Sequence, residues 1–264
     1  MTQPPPLFSP RRRRAQRARH SSGDDFIAPL VAESLLDRLG MVTRQFERAL
    51  LVAPEGHALA VPLRALARSV VVSATLPIED DFDLIVWPGG LEVTDDVPGA
   101  LVQARALLRP DGLLIGALVG DGSFPLLRRL LVGQGMRAIP RMHPQIDLKT
   151  FGNLLQRTGF ALPVADVEAT VLRYSSWRRL VDDLRGSNLA GQLASAPPPL
   201  TRIELGALDV GFAAACDTGG RAAEELRIIY FTAWAPHPDQ PRAARRGSAT
   251  ASLAAALRKI DPKQ

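Results

Sequence analysis

The residues best placed to do chemistry sit in one short loop, Ala53-Pro54-Glu55-Gly56-His57. A carboxylate two residues before an imidazole has the make-up of a general acid–base pair. An isolated loop histidine, however, reads first as a solvent-facing side chain. The 4 histidines show no H-x-x-x-H spacing and the chain has 1 cysteine, so no zinc site or other metal site is expected. Cys216 closes the apolar run Gly211-Phe-Ala-Ala-Ala-Cys216 and reads as a buried thiol without a disulfide partner. His143 and His237 each precede proline and read as loop residues. Glu79, Asp80, Asp81 and Asp83 crowd the start of an apolar segment and read as a polar loop rather than a cation site. Asp182 and Asp183 follow Trp177 on a helix. Adjacent helical residues do not converge, so the pair reads as a solvated face.

Groups in loops are held by the elements between them, and the hydrophobic pattern gives those elements. A helix opens near Asp24 and Asp25, carries Phe26, Leu30, Leu35 and Leu39, and ends at Gly40. Arg48-Ala-Leu-Leu-Val-Ala53, Val70-Val-Val72, Phe82-Asp-Leu-Ile-Val-Trp87 and residues 113–119 are apolar strands. Residues 58–68 have helical spacing between the first two strands. Pro98, with Asp95 and Asp96 beside it, opens another helix that runs to about Leu108. Arg109-Pro-Asp-Gly112 reads as a turn. Asp147 caps a helix stopped by Gly159, and Ser175 or Ser176 caps one through Trp177, Leu180 and Leu184. Strands are expected over 167–174 and 226–234, a helix over 202–216, and a linker at Ala196-Pro-Pro-Pro199. Alternating apolar strands and helices predict an α/β, Rossmann-like fold with a mostly parallel sheet covered on both faces. Ligands of such sheets sit at the carboxyl ends of the strands.

With 46% apolar and 22% charged residues over 264 positions, the chain can build a globular core. No apolar run approaches the roughly 18 residues of a membrane helix, and the arginines at the start have no apolar stretch behind them to make a secretory signal. The formal charge is +5. It is concentrated in Arg11, Arg12, Arg13, Arg14, Arg17 and Arg19 at one end and Arg242, Arg245 and Arg246 at the other. Such clusters attract phosphate, anionic lipid or an acidic protein surface. No zinc-finger spacing or RNP-like motif supports nucleic-acid binding. The organisation expected is a loose Arg-rich arm over 1–23, one domain over 24–240 and a basic tail over 241–264. A cytoplasmic setting fits the cysteine usage, with the mitochondrial matrix as the alternative.

Several stretches resemble one family. Phe82-Asp-Leu-Ile-Val, Asp95-Asp-Val-Pro-Gly-Ala-Leu101 and Leu108-Arg-Pro-Asp-Gly-Leu-Leu-Ile-Gly-Ala-Leu118 look like the fourth strand, following helix and fifth strand of class I methyltransferases. Gly152-Asn-Leu-Leu-Gln-Arg-Thr-Gly-Phe160 is similar to a helix end of the branch that holds the malonyl-carrier-protein methyltransferase and the complex I assembly factor. The arginine-rich opening and Arg242-Ala-Ala-Arg245-Arg246-Gly247-Ser248-Ala-Thr-Ala-Ser252 look like the ends of the assembly-factor group. The resemblance implies a fold that binds S-adenosylmethionine and an activity on a protein group such as an arginine, with a respiratory complex I subunit as partner. It places partner contacts at Arg242, Arg245, Arg246, Gly247 and Ser248.

The same resemblance exposes a departure. The family's first strand runs into a glycine-rich cofactor loop, whose missing β-carbons let the backbone approach the ligand. Here Leu51, Ala53, Glu55 and His57 stand at the four motif positions, and Glu55 puts a carboxylate where the cofactor's own carboxylate usually lies. Ser73 or Ala74 replaces the acid that accepts the ribose hydroxyls. About 25 residues separate the loop from the Phe82 strand, where two strand–helix units of about 30 residues each are usual, so one unit is expected to be missing. Trp87-Pro-Gly-Gly-Leu-Glu-Val93 replaces the family's Asn- and His-bearing turn. The cofactor contacts implied are Ala53, Pro54, Glu55, Gly56, Ser73, Trp87, Pro88 and Leu91. Two readings remain: an enzyme with a rebuilt pocket, or a catalytically silent scaffold for assembly.

Overall fold

The computed structural model describes residues 5–19, 25–133, 141–195 and 197–240. Eight helices and six strands are named among them: α1 Pro10–Arg19, α2 Ile27–Gly40, β1 Phe46–Val52, α3 Ala60–Leu66, β2 Ala67–Ser73, β3 Phe82–Trp87, α4 Val97–Ala106, β4 Leu108–Val119, α5 Pro125–Gly133, α6 Leu148–Arg157, β5 Ala161–Tyr174, α7 Trp177–Gly186, α8 Arg202–Ala214 and β6 Ala222–Trp234. The strands form one sheet in the order β2-β1-β3-β4-β6-β5. β1, β2, β3 and β4 run parallel, and β6 is antiparallel to both β4 and β5.

Period-two alternation buries both faces of the central strands. Leu51, Leu84, Val86, Ile115 and Tyr230 face one core with α2, α3, α5, α7 and α8. Leu50, Ile85, Trp87, Leu114 and Phe231 face the other with α4 and α6. The helices start where side chains can satisfy orphan backbone donors. Asp96 accepts from the Gly99 amide, Asp147 from Thr150 and Ser176 from Arg179, and Thr201 and Glu204 form a reciprocal capping box. Gly116 sits where β4 passes Trp87 and Phe231 so closely that a Cβ would lie 2.4 Å from the Trp87 carbonyl oxygen.

The missing strand–helix unit is visible in the connection between β2 and β3. Residues 74–81 carry neither helix nor strand and return the chain across β1 in one short pass. Leu76 packs on the second core, while Ile78 is exposed.

Four expectations are corrected. Residues 10–19 are not a loose arm: they form α1, because the strap before and along the helix is tied down. Asp95 accepts from the Leu7 and Phe8 amides, the Ser9 amide donates to the Gln192 carbonyl, and Gln16 donates to the Arg185 carbonyl. Arg109-Pro-Asp-Gly112 does not end an element. It is an irregularity inside β4, with Asp111 at φ 63, held by paired amide–carbonyl bonds between 111–112 and Ala235. Cys216 is half-buried rather than buried, and its Sγ lies 3.4 Å from the Phe212 carbonyl. Asp183 is half-buried on α7 rather than on a solvated face.

The acids before β3 act in the scaffold. Asp83 is buried and accepts from the Glu47 and Arg48 amides of β1, Asp80 pairs with Arg48, and Asp81 pairs with Arg109. Among the described residues no cluster of His, Cys, Asp and Glu is arranged to hold a metal ion, and no helix is long and apolar enough to cross a membrane. The tail residues Arg242, Arg245, Arg246, Gly247 and Ser248, residues 20–24 and Ala196 of the linker lie outside the described residues.

Candidate functional site

β1, β2, β3 and β4 all point their carboxyl ends at one cleft of about 700 Å³. Its floor is the loop after β1, residues 53–58, beside the segment after β2, residues 74–76. Residues 87–90 form one wall. α1 closes over the opening with Arg13 and Arg17, and residues 186–189 and the start of α2 complete the rim.

The two turns differ in build. After β1, the Ala53 amide donates to Ser73 O at 2.9 Å, which holds the strand ends level. Gly56 has φ +79, and a Cβ there would meet nothing within 4 Å, so the backbone lies bare towards open space. Glu55 is exposed, and His57 is half-buried with Nδ1 accepting from the Leu59 amide. Burial lowers the His57 pKa, although Asp25 pulls the other way. After β3, Gly90 has φ +96, and its amide donates to both Glu92 oxygens at 3.1 and 3.0 Å. A Cβ at Gly90 would lie 2.5 Å from Arg13 Nη2 and shift the guanidinium, and the positive φ itself favours glycine.

The Glu92 side chain keeps some surface yet is packed round by protein. Burial raises its pKa, against the pull of its own and the Gly90 amide and of Arg13. Burial likewise lowers the pKa of Arg13 and Arg17. Each is repelled or drawn by its neighbours in turn: Arg17 lowers Arg13 further, and Glu92 raises both. The Nε atoms of Arg13 and Arg17 are buried without a hydrogen-bond partner.

Of the cofactor contacts expected from sequence, Ala53, Pro54, Glu55, Gly56, Trp87 and Pro88 line the cleft. Ser73 and Leu91 do not. The Ser73 hydroxyl donates to the Thr75 carbonyl at 2.6 Å, and Leu91 is fully buried in the second core. Arg13, Arg17, Asp25, Glu92 and Gln103 line it without having been anticipated. The i, i+4 spacing of Arg13 and Arg17 was the available signal.

A parallel sheet closed by an antiparallel last strand, with a cleft at the carboxyl ends, is the class I methyltransferase fold. The structure aligns with the YcgJ protein of Bacillus subtilis at a TM-score of 0.52 and 14% identity, over 78% of this chain and 99% of that one. It aligns with a putative methyltransferase of Bacillus halodurans at a TM-score of 0.51 and 12% identity, with the same coverage of 78% and 99%. No protein-family model matches the chain. In sequence it is 30% identical to the mitochondrial arginine-hydroxylase NDUFAF5 of Danio rerio over 67% of this chain and 56% of the relative. The human counterpart gives 31% over 66% and 52%. The malonyl-[acyl-carrier protein] O-methyltransferase of Laribacter hongkongensis gives 29% over 69% and 61%. The chain thus spans about half to three fifths of the length of these relatives. In fold it is similar to class I methyltransferases, and in sequence to the complex I assembly factor and the malonyl-carrier-protein methyltransferase.

Proposed function

We propose that the cleft at the ends of β1, β2, β3 and β4 binds S-adenosylmethionine and that the protein modifies a group on a protein partner during assembly of respiratory complex I. The observation that carries this reading is the cleft itself. Its roughly 700 Å³ falls in the range of small-molecule sites, about 300–1,000 Å³. It lies where this fold class takes its ligands, and Gly56 offers bare backbone.

The residues fit the cofactor in room and in backbone approach. Residues 53–57 would hold its aminoacyl part and residues 74–76 and 87–90 its nucleoside. Bound S-adenosylmethionine supplies a transferable methyl group. The chain's own part is to exclude water beneath α1.

A second reading is favoured by the grip that is missing. Ala74 carries no acid, and the Ser73 hydroxyl is turned to the Thr75 carbonyl, so no carboxylate at the end of β2 accepts both ribose hydroxyls. On this reading the protein is a catalytically silent assembly scaffold working through its basic ends. The setting proposed in either case is the bacterial cytoplasm or the mitochondrial matrix.

Thermal melting with S-adenosylmethionine separates the two. Saturating ligand, at about 100 times Kd, adds roughly 2.7 kcal/mol, or a rise of about 5–10 °C for a chain of this size. No rise at millimolar ligand rejects the cofactor reading. Capture of complex I subunits by the unliganded protein would then support the scaffold.

A further inference from the structure

α1 is an unusual wall for a cleft, because it presents two cations that the protein does not fully pair. Arg13 and Arg17 stand one turn apart and both line the opening. A guanidinium has five N–H donors in a fixed fork. The acid between them, Glu92, has both oxygens on the Gly90 amide, and the two Nε atoms stay unpaired.

The other acids of the cleft are committed or distant in role. Asp25 Oδ1 accepts from the Ile27 and Ala28 amides, and Glu55 is exposed on the β1 loop. The helix that carries the arginines is pinned at both sides. Arg12 donates to the Leu193 carbonyl, and the strap before α1 is bonded to Asp95 and Gln192. The Arg13 guanidinium lies over Gly90. Donors held in place before a ligand arrives lose little entropy on binding it.

We propose that Arg13 and Arg17 form an oxyanion subsite that receives a carboxylate inside the cleft. Two sources share this chemistry: the aminoacyl carboxylate of S-adenosylmethionine, or a carboxylate on the acceptor. The first source rests on the cofactor reading above; the second does not. A carboxylate takes a guanidinium fork in bidentate geometry and places negative charge where Glu92 alone offsets two cations. An acceptor arginine would meet like charge at this wall and would have only Glu92 to serve it.

Titration calorimetry on the full 264-residue chain tests the subsite with three probes: S-adenosylmethionine, its decarboxylated analogue and malonate. The proteins are the wild type, the Arg13→Gln/Arg17→Gln double variant and Glu92→Gln. The subsite predicts that the double variant weakens an acid-bearing probe by about tenfold or more, the typical scale for losing a charge-assisted bidentate bond. If S-adenosylmethionine weakens while the decarboxylated analogue does not, the cofactor's carboxylate is the occupant. If only malonate weakens, the carboxylate belongs to the acceptor. If S-adenosylmethionine fails to bind the wild type while malonate binds through the arginines, the cofactor reading falls and the subsite stands.

Glu92→Gln is expected to tighten the acid-bearing probes, since it removes the competing carboxylate. Loss of their binding in that variant, equal binding by the double variant, or no binding of either acid to the wild type overturns the subsite. Should the double variant disturb α1, Arg13→Lys/Arg17→Lys keeps both charges and removes the forks. Its expected loss is a few-fold, and no loss would again count as refutation.

Discussion

The two halves of the sheet are built on different terms. β6 is laddered to β5 along residues 222–234 and to β4 over 228–234, and α6 sets Phe151 against Phe231 at a ring separation of 4.8 Å. Around β1, β2 and β3 the structure is thinner. β2 is an edge strand half open to solvent, and an extended segment takes the place of a helix on the way to β3. The second holds the cleft, where Ala53-Pro54-Glu55-Gly56-His57 follows β1 and Ala74-Thr75-Leu76 follows β2. Pro54, Glu55 and Gly56 are exposed and lie beyond the last buried residues of β1. Their identities can change without any cost to the core. Recognition and stability are carried by different residues, which lets one drift while the other is kept.

The sharpest way to break that separation is Phe151→Ala. Removing a fully buried aromatic that faces Phe231 is expected to cost about 3–5 kcal/mol, lowering the melting temperature by roughly 10 °C while leaving probe binding in the cleft unchanged. An equal loss of binding would show that the two halves are one unit.

His143 comes next. It is buried, touches Phe8 edge-on at 5.3 Å, and its Nδ1 has no partner. Burial lowers its pKa from 6.5 to about 4. The unfolded chain therefore binds the proton more readily than the folded one. The associated stability is fully present above about pH 6.5 and is lost as the pH falls towards about 4. The most this group can contribute is on the order of 3 kcal/mol. Melting curves between these limits should show the slope, and His143→Leu should flatten it; an unchanged slope assigns the acid sensitivity elsewhere.

The smallest effects compare the two turns directly. Gly90→Ala forces a left-handed alanine and displaces Arg13, for about 2 kcal/mol. Gly56→Ala meets no atom and costs only its backbone strain, about 1 kcal/mol. The order should reverse for S-adenosylmethionine affinity, which Gly56→Ala is expected to weaken more, because its methyl enters the space left for the ligand. Calorimetry on both variants checks the reversal.

Much of the scaffold was legible in the residues. Phe82–Trp87 is a strand because six consecutive buried side chains need both faces covered, and Asp96, Asp147 and Ser176 mark helix starts that the structure reproduces. The shortened crossover followed from counting residues between two strands. The Arg-rich run of α1 carries no apolar stripe that would mark a helix, and bonds to Asp95, Gln192 and Arg185 hold it and the strap before it in place. β5 begins at Ala161, before the expected start at residue 167, because pairing with β6 carries the strand past Pro163. At the site, the loop after β1 and the turn after β3 were found from motif positions. Glu92 and the two arginines were not: the i, i+4 spacing of Arg13 and Arg17 shows a shared helix face but not which cleft that face meets.

The strap that carries α1 also makes its arginines a built-in gauge of cleft access. Trypsin cuts after arginine only where the backbone can be drawn out straight, and α1 is a helix pinned at its flank. Cleavage after Arg13 or Arg17 must wait for the strap to let go. The rate of nicking in this one helix, read on a gel, therefore measures how often the cleft is uncovered, and any ligand that seats beneath α1 should lengthen the life of the intact chain.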